Sequence, residues 1–318
     1  MKLILFLLCA GLPVCLTAAE KAPLGVEATQ QTTAWTLRFH DQNVLVYSFA
    51  QGTFKPYVKE LHTLRGENVL RDAPSDHLHH HGLMYGIAIN GIDFWSETPG
   101  CGVQKPVKTS KPEVITNTQG KPQATFTQTI HWLAPEDAFL PDTSKVALLV
   151  EQRTLTLILD EETSETALQW TSKFEVGAKN NQVTLTGANY FGLGARFLKE
   201  LDPLARHLNS GNTPDLSDNK QDVAPGDWAS VSFDAPGKPA TLVIYGHPDN
   251  AGGPARFFTM RTPFAYVSAT QGLDKNPLVY HAGDTFNLQY TVALYPELKS
   301  PEFIANRLKK VAGPANRK

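Results

Sequence analysis

Lys145-Val146-Ala147-Leu148-Leu149-Val150-Glu151-Gln152-Arg153-Thr154-Leu155-Thr156-Leu157-Ile158-Leu159 is the stretch that decides the fold. It is rich in β-branched residues and leucine and holds no glycine or proline, so it reads as a strand. Side chains alternate between the two faces of a strand. Leu149, Leu155, Leu157 and Leu159 then share the odd-numbered face with Glu151 and Arg153. Charge on a leucine-bearing face is costly unless it is paired or open to a cleft. Two readings follow. One is an internal ion pair, or an arginine whose stem packs while its head reaches water. The other is a concave sheet face, packed with leucine at one end and polar where a ligand sits.

The same texture extends along the chain. Trp35-Thr36-Leu37-Arg38-Phe39 and Val44-Leu45-Val46-Tyr47-Ser48-Phe49 read as paired strands with Asp41-Gln42-Asn43 as their hairpin connection. Further strands are expected at 124–132, 167–176, 182–185, 229–233, 241–245, 264–269 and 285–294. Glycine and proline are scattered between them as turn formers rather than gathered into a linker. A helix closes the chain: Ser300 caps it, Pro301 suits its first turn, Phe303, Ile304, Leu308 and Val311 recur at helical spacing, and Gly313 ends it. A short helix is also expected around 203–208. Many strands and so little helix predict an all-β fold, a large β-sandwich with a short C-terminal helix, forming a single domain over 20–318.

The first nineteen residues, Met1 to Ala19, have one lysine, an apolar run and a closing Ala18-Ala19 pair, which is the layout of a secretory signal peptide. Cleavage after Ala19 predicts an exported protein, periplasmic or extracellular, with no membrane contact once the signal is gone. A lipoprotein signal ending at Cys15 is the alternative. Cleavage removes Cys9 and Cys15 and leaves Cys101 alone, so no internal disulfide is expected. Net charge is −2 and there is no basic block, which argues against nucleic acid as a partner.

Chemistry concentrates in Asp76-His77-Leu78-His79-His80-His81-Gly82, followed by Asn90-Gly91-Ile92-Asp93-Phe94-Trp95. Four of the ten histidines fall within five residues. Histidine is the usual proton carrier near neutral pH and the commonest metal ligand. In an extended chain, alternation places His77, His79 and His81 on one face and Asp76 and His80 on the other. In Asn189-Tyr190-Phe191-Gly192-Leu193-Gly194-Ala195-Arg196-Phe197, alternation puts Tyr190 and Arg196 on one face with two glycines between them. That leaves a shallow space, suited to a sugar ring or to the close approach of another strand. His247 follows a strand, where rim loops carry binding groups. Trp95, Trp170 and Trp228 are either core residues or stacking platforms. Phosphate-loop, dinucleotide and nucleophile-elbow signatures are absent.

These motifs resemble a bacterial family labelled PmoA-like, also the DUF6807 family. Its members show a Pro-Tyr pair, then Asp-His-Pro-His-His-Arg-Gly-Leu, then Asn-Gly-x-Asp-Phe-Trp. The counterparts here are Pro56-Tyr57, Asp76 to Leu83 and Asn90 to Trp95. The similarity continues through Glu151-x-Arg153, 189–197, Asp227-Trp228, His247-Pro248-Asp249-Asn250 and Gly283-Asp284. Two positions depart: Leu78 stands where the family has proline, and His81, a titratable residue, where it has arginine. The resemblance implies carbohydrate metabolism and a sandwich similar to the galactose-mutarotase supersandwich, whose concave face binds a sugar.

The function expected from this reading is an exported carbohydrate-active enzyme, a lyase, hydrolase or epimerase acting on a sugar or modified glycoside. His79 or His80, with His247, would move protons, and Glu151 is the carboxylate. Arg153 and Arg196 would orient oxygens, while Tyr190, Asn189 and Trp95 would bind the ring. His80, Arg153, Arg196 and His247 are expected in one pocket. A non-catalytic glycan-binding protein is one alternative. A metal-dependent enzyme, with Asp76, His77, His79 and His80 around zinc or iron, is another. No organic cofactor is expected, and the sequence does not reveal the oligomeric state.

Overall fold

Alternation of apolar and polar residues, repeated in strand after strand, builds two large antiparallel sheets that bury their apolar faces against each other. The computed structural model describes residues 24–28, 33–50, 52–211, 214, 216 and 221–311. The expected signal segment, its cleavage point, Cys9, Cys15 and Gly313 lie outside these residues.

The first sheet has nine strands, in spatial order Leu24–Ala28, Ala34–Phe39, Gln42–Ser48, Tyr57–Leu61, Leu83–Gly86, Gly192–Arg196, Tyr266–Thr270, Arg256–Met260 and Gln221–Pro225. The second runs Ala205–Asn209, Trp228–Phe233, Ala240–Gly246, Thr285–Tyr295, Glu165–Val176, Leu149–Asp160, Pro122–Leu133 and Val103–Thr109, with Glu113–Thr116 also paired to Pro122–Leu133. A four-stranded sheet, Leu278–His281, Gln182–Thr186, Ala88–Ile89 and Ile92–Asp93, lies at one end. This is the large β-sandwich expected, closed by the one α-helix among the described residues, Pro301–Val311. Ser300 caps that helix, its Oγ accepting from the Phe303 N–H at 3.2 Å. Ile304 is buried with Trp228, Tyr245 and Tyr295 on the outer face of the second sheet.

Local readings shift by a few residues. The first hairpin turns at His40-Asp41, both with positive φ, and Phe39 pairs with Gln42, one residue earlier than expected. Helical structure near 203 is a 3-10 turn over Lys199–Leu204, and 205–209 is a strand.

Leu149–Asp160 settles the choice posed by its sequence. Leu149, Glu151, Arg153, Leu155, Leu157 and Leu159 all face the interior and all are buried. Glu151 accepts from Arg153 Nε at 2.7 Å and Nη2 at 3.0 Å, from Trp132 Nε1 at 2.9 Å and from Ser172 Oγ at 2.6 Å. Arg153 Nη1 reaches across the sandwich to Tyr47 Oη at 3.2 Å and to the Pro56 carbonyl at 3.1 Å. The internal ion pair is the reading that holds. Glu151 and Arg153, expected as a catalytic carboxylate and a ligand-orienting cation, instead fasten one sheet to the other. Their donors and acceptors are spent on the protein, and at 0% and 1% exposure both are closed off from solvent.

Candidate functional site

In the first sheet, Leu83, Tyr85, Leu193, Ala195, Val267 and Ala269 point into the sandwich core. Their neighbours by alternation point outward. There Tyr57, Met84, Trp95, Phe191, Phe258, Met260, Phe264 and Tyr266 form a separate apolar cluster. The histidine block sits against this outer cluster.

The block is not extended. His77 N donates to Pro74 O and His80 N to His77 O, both at 2.9 Å, so the chain coils through two successive turns. The extended-strand expectation, which split the cluster between faces, is therefore corrected. The ring of His77 stacks on that of His80 at 4.7 Å and 27°, and His79 meets His80 edge-on at 4.6 Å. His80 then stacks over Tyr266 at 5.6 Å and presents its edge to Trp95 and Phe264. Burial, reinforced by His79, His77 and the nearby cations, pushes the His80 imidazole down to a pKa of about 2. It is neutral at any ordinary pH. Burial likewise lowers His79, which is half-buried.

Gly82 ends the block for a steric reason. Its φ is +27°, and a Cβ there would lie 2.2 Å from the Val58 carbonyl oxygen. His81, just before it, turns away from the other histidines. Its Nδ1 lies 2.7 Å from Asp72 Oδ1, and its Nε2 lies 3.1 and 3.0 Å from the Glu97 oxygens. The Tyr57 ring covers it at 4.2 Å. Burial opposes charge on this ring, but Asp72 and Glu97 outweigh burial and raise its pKa. The ring is held as imidazolium with both N–H groups donated to carboxylates. His81 so supplies the cation that arginine would supply. Glu97 also accepts from Lys55 Nζ at 2.7 Å, and Lys55, fully buried, donates to the Trp95 carbonyl at 2.8 Å. Lys55, Asp72 and Glu97 were not singled out from sequence. The one available signal was His81 itself, a cation position that demands acidic partners.

Arg196 lies under Phe264, its guanidinium carbon 3.3 Å from the ring centroid, and donates from Nη2 to Asp76 Oδ2 at 2.9 Å. Burial lowers its pKa. Burial works the other way on Asp76, but His77 and Arg196 hold its carboxyl at about 2. The space left by Gly194 is filled from within: a Cβ there would meet Tyr266 Oη at 1.8 Å and Trp95 at 3.0 Å. The expected sugar-sized gap between Tyr190 and Arg196 is thus a close approach of protein to protein. Trp95, fully buried and stacked on Phe191 at 5.2 Å, offers no free face, and Arg196 is 1% exposed. Both form the floor rather than the lining expected of them.

Tyr190 and the half-buried Asn189 sit at the rim, with the Tyr190 ring exposed beside Trp95 and Phe258. Asp93 adjoins, its Oδ1 accepting from Trp95 N and Ser96 N. His247 is elsewhere. Its loop accepts from Gln271 through Ala251 O, past the end of the strand whose first residue, Tyr266, underlies His80. Five residues of strand at ~3.3 Å each separate the two levels by roughly 16 Å. The expectation of one pocket holding His80, Arg153, Arg196 and His247 is corrected accordingly: only His80 and Arg196 come together. Trp170 and Trp228 are core residues.

Several polar atoms of this cluster are buried without a hydrogen-bond partner among the described residues: His80 Nδ1, Trp95 Nε1, and Arg196 Nε and Nη1. Unmade hydrogen bonds of buried groups cost about 1–3 kcal/mol each. No three His, Cys, Asp or Glu side chains among the described residues are placed to hold a metal ion. No described helix is long and apolar enough to cross a membrane.

An all-β sandwich with a histidine turn packed on the outer face of one sheet is the class these features define. The model of a family described as "Family of unknown function (DUF6807)" matches residues 34–309, and the chain belongs to that family. No curated protein matches it. Among solved structures, the GH36 α-galactosidase AgaB of Geobacillus stearothermophilus is similar at 10% identity and a TM-score of 0.49, over 86% of this chain and 41% of that one. The galactosidase domain of the α-galactosidase–sucrose kinase AgaSK is similar at 9% identity and a TM-score of 0.47, over 86% and 42%. An α-galactosidase from Lactobacillus brevis is similar at 8% identity and a TM-score of 0.44, over 86% and 39%. The chain spans about two fifths of the length of these enzymes. Likeness this slight bears on neither activity nor ligand.

Proposed function

We propose that this is an exported carbohydrate-active protein that takes a sugar or modified glycoside on the outer face of its first sheet, at the histidine turn. One observation carries the reading: buried donors and acceptors without partners, on His80, Trp95 and Arg196, gather in one aromatic cluster. Aromatic surface with a few converging polar groups is the composition of small-molecule sites. Tyr190 supplies an exposed ring at the rim, and His79 and Asp93 supply hydrogen-bonding groups beside it. The enzyme reading assigns proton transfer to His79 and Asp93. His80, neutral down to a pKa of about 2, is too weak a base for that task near neutral pH and serves as a binding residue.

The low basicity of His80 and the dispersal of Glu151 and His247 favour a second reading, glycan binding without turnover. Calorimetry and thermal-shift screening against a panel of neutral, acidic and aminated sugars test the site. Binding by the parent protein, lost in Tyr190→Ala at unchanged melting temperature and in His80→Ala with the fold retained, supports it. Turnover that disappears in His79→Ala while binding survives selects the enzyme. Binding that both His80→Ala and Tyr190→Ala leave intact refutes the assignment.

A further inference from the structure

A cleft of about 710 Å³, lined by none of the histidine-site residues, opens beside the edge strand Val103–Thr109. Its size lies within the range of small-molecule sites, ~300–1,000 Å³. Phe54, Val103, Pro106, Pro141 and Phe139 supply apolar walls. The Phe139 ring is 94% exposed at the rim. A phenyl group left in water is unfavourable unless something covers it.

The walls are set by the protein's own bonds. Gln104 N donates to Phe54 O at 2.7 Å and Gly102 N to Asp93 O at 2.8 Å. Lys105 is the single charged side chain among the described lining residues. Its Nζ donates to the carbonyls of Ala138 at 3.2 Å and Leu140 at 2.9 Å, tying the 135–141 loop to the strand. Carbonyls are dipoles, not counter-charges. Among the described residues no carboxylate pairs with Lys105, and one of its three N–H groups is left for another acceptor.

We infer that this cleft binds a small aromatic acid, its ring between Phe139 and the Phe54–Val103–Pro106 wall and its anionic group on Lys105. The apolar walls select the ring, and the one uncompensated cation selects the charge. A charge-assisted hydrogen bond in an apolar surround is the stronger kind. Cys101, buried and free, lies in the lining and reports occupancy.

The test uses anilinonaphthalene sulfonate and its uncharged relative phenylnaphthylamine as fluorescent probes on the native protein, with naphthoate as competitor. One saturable site is expected, with the sulfonate displaced by naphthoate. Lys105→Met loosens the 135–141 loop for both probes, and should weaken the sulfonate about tenfold more than the neutral probe, a difference of ~1.4 kcal/mol. Lys105→Arg should restore the sulfonate, and Phe139→Ala should weaken both probes. Labelling of Cys101, read by peptide mass spectrometry, should slow when the cleft is filled. That measurement on the parent protein carries the test if Lys105→Met fails to fold. Absence of saturable binding, equal weakening of both probes by Lys105→Met, or unaltered Cys101 labelling would overturn the inference.

Discussion

Replacing Arg153 with methionine tests whether the buried pair holds the two sheets together or serves a ligand. Glu151 has four donors within 3.0 Å, two of them from Arg153. Arg153→Met leaves the carboxylate buried with only Trp132 Nε1 and Ser172 Oγ. It also strips the Pro56 carbonyl of its bond from the second sheet. Breaking a buried pair by removing one partner costs about 3–5 kcal/mol. At ~2–4 °C per kcal/mol for domains approaching this size, melting should fall by roughly 10 °C. Glu151→Gln should cost a similar amount, because it strands the buried guanidinium and turns an amide NH2 toward two of the four donors. The double variant Glu151→Gln/Arg153→Met should be less unstable than the sum of the singles, since no charge is then stranded. Urea titrations of all four proteins, with melting curves as a second probe, measure the coupling. If Arg153→Met melts within a degree or two of the parent while sugar binding is lost, the pair faces a cleft and the interior placement is refuted.

Other outcomes follow from the same contacts. His81 carries a folded pKa above its ordinary 6.5, so its stabilising contribution is complete below 6.5 and is lost as pH rises through the raised value. His80, depressed to about 2, acts oppositely: its contribution is present above 6.5 and drains away as pH falls below it. Unfolding midpoints should therefore decline on both sides. His81→Arg should flatten the alkaline limb alone, and an unchanged alkaline limb would show that His81 is uncharged in the fold. Gly82→Ala should cost roughly 2–4 kcal/mol, since the added carbon meets the Val58 carbonyl at a positive φ; an unchanged urea midpoint would contradict that contact. Mass spectrometry of the mature protein should find an N-terminus near Glu20, and an acylated Cys15 would mark a lipoprotein instead.

Alternation was the legible part. It placed Glu151 and Arg153 on the leucine face correctly, because period-two patterning is local. It did not show what stands opposite, since Tyr47 and Pro56 arrive from about a hundred residues away. The histidine block defeated the same rule because hydrogen bonds from His77 and His80 coil it, and a coiled segment brings together rings that a strand would separate. Gly192-Leu193-Gly194 signalled close approach but not whether a ligand or Tyr266 would approach. Lys55 and Glu97 look like surface residues in sequence, and only tertiary contact with His81 gives them a role. His247 carried a familiar rim-loop signature, which specifies a loop but not which end of the sandwich it occupies.

Lys55, Glu97, His81 and Asp72 form a row in which positive and negative alternate, each member held by the next. Such a row has no spare member. Neutralising one inner residue leaves its two neighbours as like charges facing a gap. Glu97→Gln exposes ammonium to imidazolium, and a neutral His81 exposes one carboxylate to another. Changes that keep the fold must therefore come in compensating pairs, or swap like for like as arginine for histidine does. Diverging relatives should accordingly keep the sign of charge at each of these four positions, or reverse neighbouring members together.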